Sequence, residues 1–192
     1  AALPDVEPPS VTSLLLHEFV AAKAIEDSIF RTAQAWHDDA TLRPALRDLL
    51  LRRAPRVLGH AGGPLVRDGE DPVTATVRLV GGLSESVLCV QGPPGTGKTY
   101  TAAQVIKALV AAGRRVGVSS NSHKAILNLL DACAAAIGTG FRCLKVSSGD
   151  NADDAACAAS HPGAELCDSA AAAARLPAHR LIGGTAWYFS RP

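Results

Sequence analysis

Methionine is absent from all 192 residues, position 1 included. A natural full-length chain begins with methionine or shows a processing signal, so this one is expected to be a piece of a longer polypeptide. Aromatic residues are scarce, at 4%, while 47% of positions are hydrophobic. The core must therefore be built from Leu, Val, Ile and Ala, and wholesale disorder is excluded. No charge of one sign prevails: 19 basic residues stand against 18 acidic ones, a net charge of +1. That argues against a non-specific nucleic-acid coat protein, which needs a basic surplus, and leaves room for a motor holding one strand in a groove. The five cysteines, at 89, 133, 143, 157 and 167, include no C-x-x-C pair. Their spacing suggests neither a disulfide framework nor a zinc site, and reduced thiols in a cytoplasmic setting are expected. No apolar run approaches the ~18 residues of a membrane span, and no membrane partner is expected.

The pattern along the chain divides it into a helical segment over 1–56, a linker and approach over 57–85, and an α/β unit from 86 to 192. Residues 1–10 are Pro-rich and read as extended. Apolar positions 15, 19, 22, 25, 29, 33 and 36 recur at three- and four-residue spacing, which predicts a helix from Ser13 to His37. A second helix, Thr41 to about Arg53, has Leu42, Leu46, Leu49 and Leu50 on one side. Arg43, Arg47, Arg52 and Arg53 lie on the other, as a solvated face or a nucleic-acid contact. Residues 54–72 are dense in Pro, Gly and Asp and read as a loop.

From Val87 the pattern turns to α/β. Val87-Leu88-Cys89-Val90 predicts a strand buried on both faces. A helix from Lys98 should bury Ala102, Ile106, Leu109 and Val110, with Gly113 as its stop. A strand over Arg115–Ser119, a helix over His123–Ile137 and a strand over Phe141–Val146 follow. Residues 147–175 read as a loop and a short helix, and Leu181–Thr185 as a final strand. Such alternation means a parallel sheet.

Between the first strand and its helix lies Gly92-Pro93-Pro94-Gly95-Thr96-Gly97-Lys98-Thr99, the full G-x-x-x-x-G-K-[ST] pattern. Glycines let several backbone N–H groups converge on one anion, and the helix N-terminus adds its partial positive charge. Lys98 brings a full charge to the β and γ phosphates, and the Thr99 hydroxyl can ligate Mg²⁺. A plain strand-to-helix turn needs neither the Lys-Thr pair nor this spacing, so the loop is expected to bind the phosphates of ATP or a similar nucleotide. Hydrolysis also needs a strand ending in two acids, and none follows Lys98. Leu129-Leu130-Asp131 falls within a helical pattern, and Leu166-Cys167-Asp168 has little apolar lead-in. The acidic Walker B strand is expected beyond Pro192.

Gln91 to Tyr100 resembles motif I of superfamily 1 helicases of the Upf1 and Dna2 kinds, although AAA+ ATPases share Gly-Pro-Pro-Gly-Thr-Gly-Lys-Thr. Arg115 to Ala125 is similar to their motif Ia, and Leu181 to Trp187 to their motif Ic. The wording Asn-Ser-His-Lys-Ala and Gly-Gly-Thr-Ala-Trp looks most like bacterial proteins that fuse a RecB-like nuclease to such a helicase, and Leu49 to Arg56 looks like their pre-helicase segment. The resemblance implies an incomplete RecA-like α/β domain that uses ATP and Mg²⁺. It also implies single-stranded nucleic acid as partner, DNA in preference to RNA. A second RecA-like domain and a nuclease domain would lie elsewhere on the polypeptide; no nuclease motif is visible in this chain.

The resemblance puts Ser120, Asn121, His123, Lys124 and Thr185 on the nucleic-acid backbone. Ser120 and Asn121 can equally cap the next helix, and Thr185 can simply end a strand. Trp187 can stack on a base or fill the core. The glutamine that relatives place upstream to read adenine is missing from Asp71 to Leu79; Tyr100 can pack on the base instead. The expected whole is the ATP-binding portion of a helicase or translocase that binds nucleotide without completing hydrolysis. Alternatives are an AAA+ remodelling ATPase, a small-molecule P-loop kinase, or a non-catalytic P-loop scaffold.

Overall fold

The computed structural model describes residues 22–38, 42–147 and 152–192, with backbone only for 152–154. The Pro-rich start, positions 13–21 of the predicted Ser13–His37 helix and Thr41 fall outside these residues. Four parallel strands form the centre: β1 (Val116–Ser120), β2 (Cys143–Val146), β3 (Ala164–Cys167) and β4 (Leu181–Thr185), in the order β1-β4-β2-β3. The fold is α/β, consistent with part of a RecA-like P-loop domain.

Period-two alternation explains the two cores. Val118, Cys143 and Leu181 turn to one face and meet Ala103, Ile106, Ile126, Leu130 and Cys133. Those partners belong to α4 (Lys98–Ala111) and α5 (His123–Ile137). Leu144, Val146 and Ile182 turn to the other face and meet Ala172 of α7 (Ser169–Arg175) and Tyr188 of α8 (Ala186–Phe189). The Gly183-Gly184 pair serves both faces at once. A Cβ on Gly183 would lie 2.9 Å from Ile126 Cγ2, and one on Gly184 2.8 Å from Tyr188 Cδ1. Glycine here lets a helix approach each side of β4.

Helix ends obey local chemistry. Gly113 takes φ +77°, its N–H reaching Val110 O while the Arg114 N–H reaches Leu109 O, the paired bonds of a Schellman stop. Ser122 caps α5, its hydroxyl accepting from the Ala125 N–H at 3.4 Å. Asp168 caps α7, accepting from Ala170 and Ala171 at 2.9 and 2.7 Å.

Four expectations change. The run Val87–Val90 joins no strand, and Val90 is 52% exposed. An apolar run signals burial, whereas a strand needs a hydrogen-bonding neighbour. A cleft of about 440 Å³ has Val90 among its lining and Val116 to Ser119 along its β1 side. The 57–85 stretch holds a helix, α3 (Pro72–Gly81), capped by Asp71 and packed on α4. Residues 147–175 hold α6 (Ala152–Ser160), β3 and α7. Finally, α2 (Pro44–Leu50) buries Asp48 while Leu49 and Leu50 are exposed. Asp48 is drawn in because Arg56 pairs with it at 2.5 Å and the Ser86 hydroxyl donates to it at 3.0 Å. Arg56 also donates to Glu85 O at 2.7 Å, so this knot fastens α2 to the segment leading into the glycine-rich loop. The remaining helix, α1 (Lys23–His37), meets α8, with Arg31 donating to Ser190 O at 2.8 Å.

Candidate nucleotide and nucleic-acid site

The loop 92–99 leads into α4, with Gly97 as N-cap at φ +78° and Gly95 at φ +82°. Any other L-residue in that left-handed region costs roughly 1–2 kcal/mol. Gly92 is required for a different reason: a Cβ there would come 2.6 Å from Thr96 Oγ1. That hydroxyl donates to Pro93 O at 2.8 Å and closes the loop on itself. Lys98 Nζ donates to Gly92 O and Pro93 O, each at 2.6 Å. The ammonium therefore lies over the loop, where positive charge and the N-terminal dipole of α4 add together. Pro93, Pro94 and Thr99 are exposed, so the loop faces solvent. Tyr100 is 60% exposed and lines a cleft of about 730 Å³ with Val77 of α3 and Gln104 and Lys107 of α4.

The candidate nucleic-acid residues gather at the C-terminal ends of β1 and β4, where ligands of open α/β sheets bind. Ser120 stands directly opposite Thr185 in the ladder. Asn121 and Lys124 are exposed beside them. The helix cap belongs to Ser122 rather than to Ser120 or Asn121, and Ser120 Oγ instead accepts the Ser122 N–H at 3.3 Å. Thr185 precedes α8 but makes no side-chain cap bond. Trp187 is half-buried in α8.

His123 is tied inward. Its Nδ1 lies 3.0 Å from Nζ of Lys145, a fully buried lysine that also donates to Val146 O at 3.1 Å. The sequence offered one signal for Lys145, a lysine at an inward position of the apolar run Cys143–Val146. Two residues beyond Lys145, the Ser147 hydroxyl is the only buried side-chain polar atom without a hydrogen-bond partner among the described residues.

The acids near the sheet are engaged in structure. Asp168, which follows β3, is spent on capping α7. Glu165 pairs with Arg175 and with His179 Nε2 at 3.2 Å. Among the described residues no strand ends in two acids, as expected from the sequence. No helix among them is long and apolar enough to cross a membrane.

Residues 78–164, from α3 through the loop, α4, β1, α5 and β2 to the start of β3, match a family model described as AAA domain. The chain is similar to the DNA replication ATP-dependent helicase/nuclease DNA2 of Saccharomyces cerevisiae, 45% identical over 47 residues. It is also similar to the protein of that name in Homo sapiens, 30% identical over 96 residues. The matches cover 24% and 44% of this chain, and only 3% and 9% of those relatives.

Proposed function

We propose, from a chain that carries part of a superfamily 1 motor domain of the Upf1 and Dna2 kind, that this is the nucleotide-binding portion of an ATP-dependent helicase or translocase. The observation that carries the reading is the glycine-rich loop at the head of α4, with Lys98 folded over it. ATP would seat its phosphates on the N–H groups of Gly95, Thr96, Gly97 and Lys98, with Lys98 on the outer phosphates. Thr99, exposed in the first turn, is the residue to hold Mg²⁺, which would neutralise phosphate charge. Tyr100 and the cleft beside it offer the base a partly apolar wall.

Ser120, Asn121, Lys124 and Thr185 would follow the sugar-phosphate backbone of a single strand without reading its sequence. His123 would join them at the head of α5, where its Nδ1 stands 3.0 Å from Lys145 Nζ. DNA is the preferred track, in keeping with the DNA replication role named for both relatives. In the intact protein, hydrolysis would draw its acidic strand and its arginine from the rest of the polypeptide, including a second RecA-like domain. A nuclease domain there would match the relatives' names. The chain by itself binds nucleotide and stops short of cleavage.

The test is binding of a fluorescent single-stranded thymidine oligonucleotide and its RNA counterpart. Salt-dependent binding, stronger for DNA and weakened several-fold in Asn121→Ala and Lys124→Ala at unchanged circular dichroism, is the expected result. Equal binding by wild type and both variants would remove the nucleic-acid half of the reading.

A further inference from the structure

Away from the loop, α5 and α6 bring three different metal-ligating side chains to one point. Asp131 sits on α5, Cys157 on α6, and His161 one turn further on, its N–H bonded to Cys157 O at 3.0 Å. That spacing stacks the Cys157 and His161 side chains on one face. Asp131 Oδ1 lies 2.9 Å from His161 Nε2 and 3.7 Å from Cys157 Sγ. One ligand atom from each residue lies within 4.8 Å of the others. We propose that Asp131, Cys157 and His161 bind a borderline-soft divalent ion, zinc above all, which pins α6 to α5.

Tetrahedral zinc, with bonds of about 2.0–2.3 Å, places its ligand atoms about 3.3–3.8 Å apart. The thiol–carboxylate pair already stands at that separation. The carboxylate–imidazole pair needs to open by roughly 0.4 Å, exchanging a hydrogen bond for two metal bonds. Sulfur and nitrogen donors select against Mg²⁺ and Ca²⁺, which take oxygen. Burial is graded in the way such a site requires: Cys157 is buried, while the His161 and Asp131 side chains are 26% and 53% exposed. The ion enters from the Asp131 side, where water can take the fourth position. The Phe141 ring meets the His161 ring edge-on, at 5.8 Å and 68°, and fixes its plane. Binding releases the thiol proton to solvent, and the neutral imidazole coordinates through Nε2 with its proton on Nδ1. The inference is independent of the helicase reading, because it uses neither the loop nor the nucleic-acid face.

The test is titration of Co²⁺ into the reduced, metal-stripped chain. A single equivalent should raise a thiolate-to-cobalt charge-transfer band with tetrahedral visible bands, and Zn²⁺ should displace it. Cys157→Ser should abolish the charge-transfer band. Asp131→Asn and His161→Gln should each weaken binding about tenfold or more, while Cys89→Ser leaves it intact. Asp131 is half-exposed, so Asp131→Asn carries the test even if Cys157→Ser fails to fold. No band in the wild type, undiminished affinity in both Asp131→Asn and His161→Gln, or loss of the band in Cys89→Ser would overturn the assignment.

Discussion

Lys98 Nζ donates to the carbonyl of Gly92, 2.6 Å away, so the lysine rests on the first residue of its own loop. The Gly92 hydrogen that faces Thr96 is what permits this closure, since a methyl group there would stand 2.6 Å from Thr96 Oγ1. Gly92→Ala should turn that hydroxyl off Pro93 O and distort the cradle. We expect nucleotide affinity to fall on the order of tenfold, about 1.4 kcal/mol, with the melting temperature nearly unchanged. Parallel nucleotide titration and thermal melts check both halves.

Gly183 works differently, because its neighbours are packed core. A Cβ there would meet Ile126 Cγ2 at 2.9 Å and Leu130 Cδ1 at 3.1 Å, and both of those residues are fully buried. Gly183→Ala should cost about 1–3 kcal/mol as an overpacked core. Gly140→Ala is the control, since its nearest atom is Ile137 Cγ2 at 3.8 Å. Denaturant melts of the two variants should differ by that amount.

Glu70 sets an acid-dependent contribution. Arg78 donates to both its carboxylate oxygens, at 2.7 and 2.6 Å, and the Arg67 N–H adds a third bond at 3.0 Å. The Arg78 bonds first, then the Arg67 N–H, lower its pKa from the usual 4.5 to about 2. A depressed carboxylate stabilises the fold above its unfolded pKa, and the gain is lost as pH falls from about 4.5 to about 2. Glu70→Gln should therefore be less stable than wild type near neutrality, with the gap closing across that window. A gap that stays constant down to about 2 would contradict the assignment.

The cysteines divide by reactivity. Burial pushes the Cys133 thiol up to about 11 and the Cys143 thiol to about 12, and raises Cys167 as well. At pH 8, a thiol of pKa 11 is ionised to about one part in a thousand. Cys89 is exposed. Brief alkylation of the native chain, read by peptide mass mapping, should mark Cys89 first and spare Cys133 and Cys143.

Much of this was legible in the residues. The α5 helix and β4 appear at the bounds the sequence predicts: helical periodicity and Gly138 bound the first, and the short apolar run bounds the second. The loop could be read because its chemistry is local: one stretch of eight residues carries the glycines, the lysine and the hydroxyl. Val87–Val90 misled because apolarity alone supplies no pairing partner, and Cys89 and Val90 stay exposed. The helix α6 and strand β3 went unseen, since alanine-rich sequence gives periodicity little contrast. Asp48 hid within a leucine-rich stripe, its burial decided by Arg56 and Ser86, eight and thirty-eight residues away. Asp131, Cys157 and His161 have no linear signature, for they meet only when α6 folds back on α5.

The role of Lys98 in holding nucleotide phosphates on the loop at 92–99 is read by calorimetric titration of Mg-ATP into the wild type and into Lys98→Ala. The wild type should bind, and the variant's affinity should be lower by about tenfold or more, a loss of at least about 1.4 kcal/mol, at equal thermal stability. Equal affinity for the two proteins would contradict it.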